Sequence, residues 1–96
     1  MVLTKKTVIT LTHEAYTATQ ANQFIYDTNL GKLREMLHFE QTDGKELTTD
    51  LEYITIERHW IDESAASEWK NFTTNTLTTA GVPIQDYIIE DYTPPV

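Results

Sequence analysis

Histidine is the side chain best suited to move a proton near neutral pH, and the chain has three: His13, His38 and His59. None stands in a His-x-His pair or a His-x-x-x-His helical turn. A metal site would therefore need distant residues to converge with carboxylates such as Glu40 or Glu57. If 32–41 and 51–61 are neighbouring strands, His38 and His59 share a face with Arg34, Tyr53 and Glu57. Those five form a candidate pocket in which His or Glu acts as general base and Arg34 holds an anion. The plainer reading of the same five is a solvated sheet face, or a dimer interface held by side-chain hydrogen bonds. Nothing here amounts to a catalytic signature, so the chain leans towards a non-enzyme, with no metal and no cofactor expected.

Other chemistries are closed off by composition. There is no cysteine, which excludes disulfides, thiolate catalysis, iron–sulfur clusters and cysteine-ligated zinc. The glycines Gly31, Gly44 and Gly81 are isolated and cannot form a phosphate-cradling loop. Ser64 and Ser67 fall on a helix beside no histidine. Asp43, Glu46 and Asp50 lack the spacing of a calcium loop and read as a solvated hairpin tip. Trp60 and Trp69 could line a ligand cavity, but their spacing suits a core. The formal net charge is −8, and the seven Lys and Arg are dispersed, which argues against nucleic acid as a partner. No run approaches the roughly 20 apolar residues of a membrane span, and no apolar run follows the basic residues of Met1-Val-Leu-Thr-Lys-Lys. The expected setting is cytoplasmic, or host cytoplasm or virion if phage-encoded.

The elements that must position these groups follow from periodicity. Ninety-six residues make one domain, 1–96. Residues 4–12 alternate as a strand, and Thr12 is a helix cap. A helix from His13 is expected to stop at Gly31. Residues 32–41 alternate Leu33, Glu35, Leu37, Phe39 against Arg34, Met36, His38, Glu40, which predicts a second strand. It forms a hairpin with 51–61 through the Asp43-Gly44 turn. Face chemistry sets Phe39 opposite Ile54, and with it Glu35 opposite Arg58. Asp62 caps a helix whose buried stripe is Ala65 or Ala66, Trp69, Phe72 or Thr73, Thr76 or Leu77, and Ala80. Gly81 ends that helix, and a last strand covers Val82–Glu90. The expected fold is α+β: a ferredoxin-like β-α-β-β-α-β sandwich, with a four-stranded antiparallel sheet and two helices on one face. The alternative is an α+β arrangement in which the first helix runs on through Leu37.

The string Glu57-Arg-His-Trp-Ile-Asp-Glu-Ser-Ala-Ala-Ser-Glu-Trp69 carries a family likeness, together with the order and length of the elements. The chain resembles the dimeric α+β barrel group, which includes antibiotic-biosynthesis and heme-degrading monooxygenases. The same string is similar to short uncharacterised proteins of tailed phages and marine sequences. The resemblance implies a homodimer in which the open sheet faces meet and enclose a cavity. Heme-degrading members place a heme-ligating His on the second helix. The helix Asp62–Ala80 has no His, so that activity is not implied. Two functions are expected. One is a small acidic, non-enzymatic protein, phage-encoded or virion-associated, that acts through self-association or a protein partner. The other is a small-molecule-binding protein taking a small apolar ligand, or a cofactor-free monooxygenase of the barrel type.

Overall fold

The computed structural model describes residues 2–36, 39–42 and 53–95, with the backbone alone at 39–42. Strand β1, Lys5–Thr12, runs into helix α1, His13–Ala21, and helix α2, Gln23–Glu35, follows after one residue. Strands β2, Phe39–Thr42, and β3, Tyr53–Trp60, come next, then helix α3, Glu63–Thr79, and strand β4, Asp86–Asp91. The sheet order is β2-β3-β1-β4, antiparallel throughout. Its body is the three longer strands β3-β1-β4, and the four-residue β2 is added at the edge of β3.

The α+β class stands, but the two-helix ferredoxin-like sandwich is corrected, because the described chain has three helices in the order β-α-α-β-β-α-β. The cause lies in residues 22–36. Gly31 does not stop the helix; the break comes earlier, at Asn22, whose extended backbone (φ −91°, ψ 101°) ends α1. The Asn22 side chain then accepts a hydrogen bond from the Ile25 N–H and caps α2. Ile25, Leu33 and Met36 are buried at helical spacing, and that burial outweighs the strand-like alternation of 32–36. The expected pairing is also displaced by six residues, since Phe39 lies opposite Trp60 and Gln41 opposite Arg58. The Asp43-Gly44 turn lies outside the described residues.

The remaining punctuation follows local chemistry. Thr12 Oγ1 accepts from the Ala15 N–H at 3.1 Å and Asp62 Oδ1 from the Ala65 N–H at 2.9 Å. Gly81 has φ 76°, a left-handed conformation that costs a side-chain-bearing residue free energy. Strand β4 begins later than expected, at Asp86, after Pro83, which has no N–H to give a ladder.

All three helices pack on one sheet face. Their apolar residues meet it in two separate groups: Ile9, Leu11, Ala15, Ile25 and Leu77, and Leu33, Met36, Trp60, Ala66 and Trp69. Trp60 is fully buried and donates its indole N–H to Thr7 Oγ1 at 3.0 Å. Between the two groups lies a seam that contains polar side chains.

Candidate functional site

Of the five residues expected to form a pocket four are described, and Arg34 does not share an element or a face with the other three. Arg34 is exposed on α2, and His38 lies outside the described residues. Tyr53, Glu57 and His59 alternate along β3 towards the face that the helices leave open. There His59 is 2% exposed, shares a hydrogen bond of 2.8 Å with Glu57, and stacks on the Tyr92 ring at 3.6 Å. Lys6 sits 3.5 Å from both Glu57 and Glu90. The hydrogen bond from His59, with help from Lys6, holds the Glu57 carboxyl below the usual carboxylate range. Among the described residues no group of three or more His, Asp or Glu could hold a metal ion.

The concave site is on the helix side instead. A cleft of about 380 Å³ opens between α1, α2 and β3. Tyr16 and Gln20 of α1 stand on one wall, joined by a 2.8 Å hydrogen bond. Tyr26, Asn29 and Leu33 of α2 form the other, and Ile56 and Arg58 of β3 form the floor. The break at Asn22 lets two short helices splay over the sheet where one straight helix could not. Beneath the cleft is an inner cavity of about 70 Å³ that shares Thr19, Asn29, Ile56 and Arg58 with it. This cavity is the seam: Ile9, Leu11 and Leu77 of one core group line it, as does Trp69 of the other.

Each polar group in the seam has a physical setting. The Arg58 guanidinium lies 5.4 Å from the Trp69 ring centroid, a cation–π geometry. The Tyr87 hydroxyl pairs with Thr73, whose Oγ1 also donates to the Trp69 carbonyl at 2.9 Å. Burial pushes the Tyr87 phenol up to about 12, although the Thr73 hydrogen bond pulls the other way. Asn29 Oδ1 is shielded from solvent and has no hydrogen-bond partner among the described residues. The arrangement offers an apolar slot with a cation, phenols and one buried carbonyl acceptor.

Sequence reasoning placed the cation at Arg34 and missed Arg58 and Asn29. The signals were there to read. Arg58 interrupts an apolar face, Ile54-x-Ile56-x-Arg58-x-Trp60, and Asn29 stands four residues from both Ile25 and Leu33. A polar residue on an otherwise apolar stripe marks a satisfied interior contact or a site.

No protein-family model and no curated protein matches the chain. It is similar in fold to solved structures of At3g17210, a hypothetical protein of Arabidopsis thaliana. Against the solution structure the identity is 13% and the TM-score 0.57, covering 100% of this chain and 91% of that one. Against an ensemble-refined crystal structure the values are 14% and 0.50, covering 97% and 96%. At such identity the likeness is one of fold alone, and it carries over neither the monooxygenase group nor a phage origin. No helix among the described residues is long and apolar enough to cross a membrane.

Proposed function

We propose that the chain is a small-molecule-binding protein whose ligand enters the cleft between α1, α2 and β3. The observation that carries this reading is that the cleft adjoins, through Thr19, Asn29, Ile56 and Arg58, a largely apolar cavity between two core groups that also bears polar side chains. Natural interiors are close-packed and a seam of this kind costs stability, part of which a ligand filling it would offset. A slot of a few hundred Å³ with apolar walls and a few polar groups has the make-up of a ligand site. The proposal stops at binding, because Glu57 and His59, the pair that could act as a base, lie on β3 facing away from the cleft. The test is a ¹⁵N-resolved NMR screen of small amphiphilic compounds. Shifts should cluster at residues 16–33 and 56–58. Shifts confined to the open sheet face, or no binder at millimolar concentration, would remove the reading.

A second reading concerns assembly. Val8, Thr10, Thr55 and Ile88 are half-buried on the sheet face opposite the helices, and Tyr53 continues that patch. A second copy of the chain, meeting this face with its own, is the partner proposed. A phage or virion setting stays a separate proposal, for genomic neighbourhood to test.

A further inference from the structure

We infer that Asn29 selects what the cleft accepts, favouring a ligand that carries a hydroxyl or N–H donor for the Asn29 side-chain carbonyl. The inference rests on the cleft being a ligand site and adds its selectivity. Asn29 lies one helical turn from Ile25 and one from Leu33, both buried, so α2 turns it towards the sheet. Its Oδ1 is out of solvent reach, with no hydrogen-bond partner among the described residues. It lines the outer cleft and the inner cavity alike. A buried carbonyl left without a donor is costly, and native interiors rarely tolerate one. Rotation of the Asn29 amide into the cavity would bring this oxygen to a ligand donor and relieve that cost, whereas a ligand lacking a donor would leave it unpaired. Ile56 and Leu33 beside it suit an apolar ring, and the inner 70 Å³ admits only a small group. The ligand class is therefore a compact, largely apolar ring compound with one exposed donor.

Three probes isolate the donor. Indole and 3-methylindole keep the ring N–H; 1-methylindole has the same added methyl but no donor. NMR titration of the full chain should give similar affinities for the first two and binding at least about tenfold weaker for the third. The variant Asn29→Leu should bring the three together. Equal binding of all three to the wild-type cleft would overturn donor selection, with a retained water satisfying Asn29 instead, and would leave the cleft reading intact. If none of the three perturbs cleft residues, the inferred ligand class is overturned, and the wider screen alone decides the cleft reading. The wild-type comparison decides the question even if Asn29→Leu does not fold.

Discussion

At the scale of single residues, two titrating groups tie the site's surroundings to stability. The half-buried Tyr87 phenol has its pKa raised to about 12, above the ordinary value of about 10. The folded state thus favours the neutral phenol. That contribution is fully present below about pH 10 and is lost as pH rises through about 12, with a ceiling of about 2–3 kcal/mol. Urea unfolding at about pH 9 and about pH 11.5 should show a steeper alkaline loss in the wild type than in Tyr87→Phe; equal losses would contradict the raised phenol pKa. Glu57 is the opposite case. Its carboxyl is held low first by the His59 hydrogen bond and then by Lys6. Its contribution is present above the ordinary glutamate pKa and is lost as pH falls through the lowered value. Glu57→Gln should therefore flatten the acid limb of the stability profile, measured as unfolding midpoint against pH. Both groups were visible in the sequence as types, but their settings were not. Arg58 already stands on the apolar face in the sequence, paired with Glu35; the helical state of α2 moves Glu35 away and leaves Arg58 beside the Trp69 ring.

At the scale of elements, boundaries with local chemical causes were legible and those decided by packing were not. Thr12, Asp62 and Gly81 act through their own side chains or backbone conformation, so sequence alone identifies them. Residues 32–36 satisfy two periods at once. Leu33 and Glu35 alternate as in a strand, while Ile25, Asn29, Leu33 and Met36 recur as in a helix, and a short run cannot separate the two. Contact with Trp60 and Ala66 settles it, as Leu33 and Met36 join their buried group. Gly31 thus sits inside a helix, exposed, and a Cβ built there meets nothing within 4 Å. Gly31→Ala should stabilise the protein by about 0.5–1 kcal/mol, read as a raised urea midpoint. A loss of stability would mean that the residue lies outside the helix. Asn22→Ala should act the other way, costing about 1 kcal/mol through loss of the α2 cap. It should also weaken probe binding, because the break at Asn22 sets the angle between the cleft walls.

At the scale of the whole molecule, the chain is a slab of 35 × 30 × 16 Å, one sheet thick and one helix layer thick. Two layers can dry only one face of the sheet. The other face carries Val8 and Ile88 at its centre, half-buried, with Lys6, Glu57 and Glu90 along one end. Isologous pairing of two such faces would bury the apolar centre twice over. Charge opposes it: each chain carries a formal −8, and two copies repel until salt screens them. The two effects scale differently, since apolar burial depends little on moderate salt and the repulsion falls steeply with it. Self-association should therefore strengthen as sodium chloride rises, the reverse of an interface held by ion pairs. Light scattering at micromolar concentration should give twice the 11.1 kDa chain mass, more completely in higher salt. Val8→Glu, which sets a charge at the centre of the face, should return the single-chain mass while circular dichroism and cleft binding persist. A mass of one chain for the wild type at every salt concentration would leave the open face to solvent or to a different protein.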